Sequence, residues 1–398
     1  MKKMLFLTSR FPISSTGDGV RVLQQLEMFS QWFEITLVTF YEGEENLEKN
    51  KFAKKYCKNI YTLKLDTLFS GLRYKLDLVK LSKLGVFIPI YLFFQMPLQV
   101  KYYTSKKMLN FLQKLNDKTE FDILFVNLIR MAEYGKHLNI PFKVLDYTDA
   151  ISYNYFLRKR YEKNILWKIY LLFEQTKIES YEKNILQYYD IGTVISERDR
   201  NWILKDNKVD ERKIKVIPNY IKCKNKFERT PEKGMIVFVG RMNSPPNIDA
   251  AIWFAKEIFP KVKEKVPYAK FYIVGADPTE EIRALHNGND IIVTGFVEDP
   301  KEYLKKAQVF VAPIRFGAGL QNKVLEAMSV GVPIVASKVV WEGVGKSVKE
   351  EYEEEMVRHI IRLLTKSITE VDYNSYLQIF SKKKVRKLWK MTLCRTFF

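Results

Sequence analysis

The sequence predicts an α/β protein built from two doubly wound parallel-sheet domains. Short, wholly apolar segments of strand length alternate with longer segments of helical spacing, and the alternation restarts after a polar break that precedes Met235. Glycines stand at the ends of the later strand segments, where ligands of such sheets bind.

Taken in order, Lys3–Thr8 and Glu34–Phe40 read as buried strands with a helix over Val20–Trp32 between them, a βαβ unit. Ile123–Asn127, Phe142–Asp146 and Ile191–Ile195 read as further strands, and Arg158–Tyr188 has the length and spacing of one long helix. The hexapeptide YEKNIL occurs at 161–166 and again at 181–186; one recurrence without a sustained period is helix composition, not a solenoid. After Ile214–Ile217 and the turn Pro218-Asn219, the stretch Lys222–Gly234 is polar, with five Lys and Arg and a Thr-Pro pair, and reads as a linker. Beyond it come strands Met235–Val239, Lys270–Val274, Ile291–Thr294, Val309–Ala312 and Pro333–Ala336, with helices over Ala250–Phe259 and Asn322–Ser329. The expected organisation is a first domain 1–221, a linker 222–234, a second and shortened domain 235–366, and a basic tail 367–398.

Composition bounds the function. Hydrophobic residues make up 47% of 398, with 27 Phe and 23 Tyr, enough for two cores. Cys57, Cys223 and Cys394 are scattered without a C-x-x-C pair, which excludes a disulfide framework and a zinc ribbon. His137, His286 and His359 are too far apart for a His-x-x-x-His metal pair.

The formal net charge is +20, which attracts polyanions. Residues 51–118 hold 14 bases and three acids, and Lys382–Arg395 hold seven bases and no acid, so an anionic membrane surface is an expected partner, against a competing reading of solvated lysine-rich faces. No nucleic-acid module accompanies the charge, and nucleic acid is not an expected partner. The start of the chain lacks a signal-peptide pattern, and the apolar stretch Gly85–Met96 is too short to span a bilayer, which gives a cytoplasmic expectation. Phe87, Ile88, Tyr91, Leu92, Phe93 and Phe94, flanked by Lys80, Lys83 and Lys101, suit either a monotopic membrane contact or a core.

The most informative segment is Ala312–Ser337, APIRFGAGLQNKVLEAMSVGVPIVAS. Gly317 and Gly319 let backbone N–H groups approach an anion, and the helix that follows aims its positive end at the same point. Glu326 on that helix can accept hydrogen bonds from ribose hydroxyls. An ordinary tight loop with a dipole-complementing Glu is the competing reading. Gly240-Arg241 adds a fork-shaped, permanently charged donor suited to a diphosphate.

Other phosphate signatures fail. Gly345-Lys346-Ser347 mimics a Walker loop, but Val340 stands where its first glycine is needed. Gly17-Asp18-Gly19 approximates a dinucleotide fingerprint, but Val22 occupies the third glycine position. No Asp-x-Asp occurs to hold a magnesium diphosphate, so neither metal nor cofactor is expected, and charge neutralisation falls to Arg241, Lys323 and backbone dipoles.

These residues resemble the group 1, or family 4, retaining glycosyltransferases. The resemblance covers residues 1–343 through the glycine loop after the first strand, VIPNY at 216–220, VFVGRM at 237–242, VTGFVED at 293–299 and KVLEAMSVGVPIVAS at 323–337. It implies the GT-B fold, two Rossmann-like domains facing across a cleft, with a nucleotide-diphosphate sugar on the second and a saccharide or lipid-linked acceptor on the first. By resemblance Glu326 is the ribose-binding glutamate, Arg241 the diphosphate-binding arginine, and Phe296 and Val297 lie where the base is contacted. Gly240, Gly317, Gly319, Leu320 and Lys323 complete the expected donor site; Asp149, Arg241, Lys323 and Glu326 are the expected catalytic set. Gly17, Gly19, Arg21, Asp146 and Asp149 are expected on the acceptor side, with helix capping the alternative for Asp149.

The chain departs from the family's pattern at Ala318, where a first glutamate is common, and at Asn247, where a lysine is common. The implied function is transfer of sugar in cell-surface polysaccharide synthesis, retaining and metal-independent. The alternative is a non-catalytic nucleotide-binding or scaffold protein derived from a transferase; a phosphorylase would need a cofactor lysine that the sequence does not identify.

Overall fold

The computed structural model describes residues 1–12, 17–41, 53–65, 96–206, 208–221, 228–317, 319–346, 353–366 and 370–393. The aromatic run 85–95, most of the linker start, Cys223, Cys394, Ala318 and Ser347 lie outside the described residues. Two compact units result, Met1–Ile217 and Pro218–Phe398, dividing inside the VIPNY motif rather than after residue 221.

In the first unit, β1 (Lys2–Thr8), β2 (Phe33–Tyr41), β3 (Asn59–Lys64), β4 (Ile123–Asn127), β5 (Phe142–Thr148), β6 (Ile191–Val194) and β7 (Ile214–Val216) form one seven-stranded sheet in the order β3-β2-β1-β4-β5-β6-β7. Every pairing is parallel, Leu5 standing between Thr36 and Leu124. Central strands covered on both faces must be apolar throughout, and Met4–Leu7 and Ile123–Val126 are fully buried. The helix Gly17–Phe29 lays Leu26 and Phe29 on this sheet, where Phe29 meets Phe125 edge-on at 5.1 Å and Phe125 stacks on Phe6 at 4.8 Å.

The long helix expected over Arg158–Tyr188 is two helices, Ile151–Tyr161 and Ile165–Ile185, with a 3-10 turn over Leu186–Tyr188. Asn164 makes the break: its side chain accepts from Trp167 N at 3.0 Å, an N-cap that competes with helix continuation.

The second unit holds β8 (Met235–Val239), β9 (Lys270–Val274), β10 (Ile291–Gly295), β11 (Val309–Ala312) and β12 (Ile334–Ala336), all parallel, in the order β10-β9-β8-β11-β12. The helix expected over Ala250–Phe259 runs further: Pro245–Trp253 passes through a π turn, Phe254–Ile258, into Phe259–Lys265. Pro260 has no N–H to give, and the wider turn, with Phe259 N bonding Phe254 O, carries the chain past it. Part of the expected basic tail is helical and packed: Lys382–Leu393 buries Val385, Trp389 and Leu393. Among the described residues no helix is long and apolar enough to cross a membrane.

Candidate active site

The site of the second unit is assembled at the carboxyl ends of β8, β9 and β10. Gly240 N donates to Val274 O at 3.0 Å and Gly275 N to Gly295 O at 3.2 Å, so the three strand ends lie in one layer. Gly275 has φ +146, and a Cβ there would stand 1.8 Å from the Gly240 carbonyl oxygen; only glycine closes this contact. Gly240 makes room in turn, because its Cβ would fall 2.7 Å from Asn247 Nδ2 and 3.0 Å from Lys323 Nζ.

Lys323 reaches this strand end from the helix Asn322–Val330. Its ammonium donates to Asn247 Oδ1 and lies 4.7 Å from the centre of the Phe238 ring, while Asn247 Nδ2 donates to Arg241 O at 2.9 Å. Burial pushes Lys323 down to about 7, with the nearby Glu326 carboxyl acting in the opposite sense. Burial raises Glu326 as well; Lys301 and Lys323 pull it back and Asp299 adds to the rise. An enclosed cation and a half-buried carboxyl on one helix can hold an anion and a hydroxyl respectively.

The loop before that helix is fixed from both ends. Arg315 donates through Nε to Asp249 of the helix Pro245–Trp253 at 2.8 Å, and Asn219 Nδ2 donates to Asn322 Oδ1 at 3.0 Å. Between these anchors Gly317 and Gly319 take φ +151 and +74, backbone that glycine adopts without strain. Gln321 precedes the helix without a side-chain hydrogen bond to its first N–H groups. Leu320 is buried, which leaves its backbone rather than its side chain for a ligand.

Arg241 is half-exposed and engaged by Asp277 through Nε at 2.9 Å and a terminal nitrogen at 2.8 Å. Asp277 also lines a cavity of about 540 Å³ with Pro278, Arg283, His286 and Val293–Phe296. Phe296, 75% exposed, offers that cavity an open ring face; Val297 is half-buried and not among its lining residues.

The first unit corrects the expectation for two acceptor-side residues. Arg21 and Asp146 are 2% and 0% exposed and face each other inside the unit, joined by Nε and a terminal nitrogen at 2.8 Å each. Arg21 also donates to Ile217 O, and Asp146 accepts from Gln25 and Thr193. Burial alone would raise the Asp146 carboxyl, but the Arg21 charge and these hydrogen bonds hold it below its ordinary value. Such a pair joins β5 to the helix Gly17–Phe29, with both side chains closed to solvent. Gly17 and Gly19 open that same helix.

Asp149 follows Thr148, whose φ is +65 at the end of β5, and precedes the helix Ile151–Tyr161, whose N-cap, Ala150, gives no side-chain hydrogen bond. The start of that helix is met instead by Glu182, which accepts from Ser152 N at 3.2 Å and from Ser152 Oγ. Burial, with Asp149 nearby, pushes the Glu182 carboxyl up to about 8.

Sequence reasoning missed Asp277, Asn219, Asp249 and Glu182. Asp277 carried a local signal, standing two residues after a strand-end glycine, and Asn219 stood within the VIPNY motif. Among the described residues there is no group of three His, Cys, Asp or Glu able to hold a metal ion.

Two parallel-sheet Rossmann-like units, the second with glycines at its strand ends, are the fold of the GT-B class. Residues 233–366 match the family described as Glycosyl transferases group 1. That match makes the second unit a group 1 glycosyl transferase domain. Along its length the chain is 24% identical to an uncharacterized 44.6 kDa protein in the cps region of Klebsiella pneumoniae, covering 97% of this chain and 98% of the relative. In fold it is similar to sucrose-phosphate synthase from Thermosynechococcus elongatus, with a TM-score of 0.70, 13% identity and coverage of 100% and 99%. It is also similar to Anabaena HepE in complex with UDP and glucose, with a TM-score of 0.62, 13% identity and coverage of 99% and 100%.

Proposed function

We propose that the protein transfers a sugar from a nucleoside-diphosphate donor to a saccharide or lipid-linked acceptor at the cytoplasmic face of a membrane, in cell-surface polysaccharide synthesis. The observation that carries the reading is the Lys323 ammonium, held at the glycine end of β8 with the Glu326 carboxyl near it. The cps-region relative and the UDP-bound HepE structure support the polymer and the donor class.

In this reading the helix Asn322–Val330 and Lys323 hold the diphosphate, Glu326 accepts from the ribose, and the base enters the cavity beside Phe296. Arg241 swings from exposed Asp277 to the phosphates, a small cost because a half-exposed ion pair contributes little. As the bond from the anomeric carbon to the diphosphate oxygen breaks, the electron pair stays on that oxygen, and these cations stabilise it better than they stabilised the intact donor. The acceptor hydroxyl oxygen bonds to the anomeric carbon and its proton passes to the departing diphosphate oxygen; Asp149 is the acceptor contact in the first unit. Retention of configuration follows the family resemblance. Independence from metal and cofactor is supported by the absence of Asp-x-Asp from the sequence.

The test is nucleoside-diphosphate release from a panel of UDP-, GDP- and ADP-linked sugars, with and without polyprenyl-linked or oligosaccharide acceptors. Acceptor-dependent release with one donor, abolished in Lys323→Met, is the expected result. Tight nucleotide binding without release from any donor would turn the reading to a non-catalytic binder.

A further inference from the structure

The helix Ile165–Ile185 wears its apolar side outward. Its inner side buries Glu174, Gln175 and Glu182 beside Leu171, Ile178 and Ile185. Its outer side exposes Ile165, Leu166, Leu172 and Phe173 by 66, 38, 46 and 40%. Ile165, Ile169, Leu172 and Phe173 are spaced i, i+4, i+7 and i+8, which puts them in one stripe of the helix surface, with Leu166 at its border. A surface helix ordinarily turns that stripe to the core; here the core receives the glutamates, at the cost of raising Glu174 to about 7 and Glu182 to about 8 through burial.

Bases are dense in the sequence that leads into the stripe. Arg158, Lys159, Arg160, Lys163 and Lys168 stand within eleven residues that contain one acid, Glu162, whose Oε1 is taken by Asn164 N at 3.0 Å. Lys163 and Lys168 make no ion pair among the described residues. Trp167 stacks on Tyr170 at 4.7 Å with the Arg158 guanidinium 5.7 Å from its ring, a cluster that ties the two helices together away from the stripe.

We propose that the hairpin of Ile151–Tyr161 and Ile165–Ile185 is the surface by which the protein docks on an anionic lipid bilayer, Ile165, Leu172 and Phe173 entering the headgroup boundary and Lys163 and Lys168 meeting lipid phosphates. Charge complementarity selects this occupant. A second copy of the chain would bring the same five bases against their own images, and like charges across an interface repel. An anionic bilayer satisfies the bases and buries the aliphatic stripe together, and two weak signals of this kind add to a stable but reversible attachment. The inference deepens the expectation of a membrane partner, which composition had centred on residues 51–118 and the basic C-terminal stretch, and it is independent of the donor-site reading.

The experiment is flotation of the full chain with phosphatidylcholine vesicles, alone and with about 30% phosphatidylglycerol, at roughly 0.15 M salt. The wild type is expected to float with the anionic vesicles only. Leu172→Ser/Phe173→Ser and, separately, Lys163→Glu/Lys168→Glu are each expected to weaken that binding on the order of tenfold, with circular dichroism and nucleotide-induced thermal shift unchanged, since all four positions are at the surface. Anionic binding that survives both double variants would place the membrane contact elsewhere and overturn the proposal while leaving membrane attachment standing. No binding by the wild type would overturn both. A dimer in solution that Leu172→Ser/Phe173→Ser splits would give the stripe to a second copy and equally overturn it.

Discussion

The Lys323 ammonium and the Asn247 amide are joined end to end: Lys323 donates to Asn247 Oδ1, and Asn247 Nδ2 passes on to the Arg241 carbonyl. Asn247 stands where the family resemblance leads one to expect a lysine, and the cation at this strand end comes from Lys323 on the helix Asn322–Val330. Lys323→Met should therefore weaken nucleoside-diphosphate binding by about a hundredfold, as loss of a charge-assisted contact in an enclosed site does. Asn247→Ala should cost less, about tenfold, because the ammonium survives with a looser position. Isothermal titration with the preferred nucleotide reads both.

The same lysine makes donor binding depend on pH. Lys323 sits near 7 in the free protein, and a diphosphate beside it favours the charged form, so its value rises on binding. Above pH 7 binding must then take up a proton, and affinity falls as pH rises through the window above the free-protein value. Titrations at pH 8 in two buffers of different ionisation heat should show that uptake, and Lys323→Met should abolish it.

Glycines that look alike in sequence should differ in cost. Gly275→Ala forces a Cβ to 1.8 Å from a backbone oxygen at φ +146 and should destabilise the second unit by about 3 kcal/mol or more. Gly288→Ala, at φ +72 with nothing nearer than His286 Nε2 at 4.0 Å, should cost about 1 kcal/mol. Urea denaturation of the two variants provides the comparison.

Arg21→Met leaves the Asp146 carboxylate buried and unpaired and should destabilise the first unit by about 3–5 kcal/mol. Arg21→Met with Asp146→Leu removes both charges and should recover much of that loss. A double variant as unstable as the sum of the two single ones would contradict the pairing.

Glu182 sets an alkaline limit on stability. Its folded value is about 8 against an unfolded value near 4.5, so between these pH values the folded state holds more protons than the unfolded state, and stability falls as pH rises. Glu182→Gln should flatten the thermal midpoint between about pH 5 and pH 8 relative to the wild type. An unchanged slope would show that the carboxyl titrates normally.

The strands of both sheets were legible because buried parallel strands need uninterrupted apolar runs, as in MLFL of β1 and IVFV of β8. β3 was not, because NIYTLK is only half-buried at the edge of its sheet and carries no such run. YEKNIL shows where local sequence stops deciding: at 161–166 it breaks a helix through Asn164, and at 181–186 it runs into a helix end. That Gly317, Gly319, Lys323 and Glu326 fall on one loop and the helix after it was legible from their spacing within one segment. Arg21 and Asp146 were not, since a partner 125 residues away leaves no local trace and turns a plausible acceptor group into a buried strut. Asp277 and Asn219 hold other site residues through side-chain contacts between separate segments, which sequence spacing does not encode.

The most direct test of a nucleotide-sugar site at Lys323 and Glu326 is thermal-shift titration with UDP, GDP, ADP and CMP, with Glu326→Ala alongside. Ligand at a hundred times its dissociation constant adds about 2.7 kcal/mol, enough to move the midpoint of a protein of this size by a few degrees. One nucleotide that raises the midpoint of the wild type and not of Glu326→Ala is the predicted result. No shift with any of the four, or an equal shift in the variant, would contradict the site.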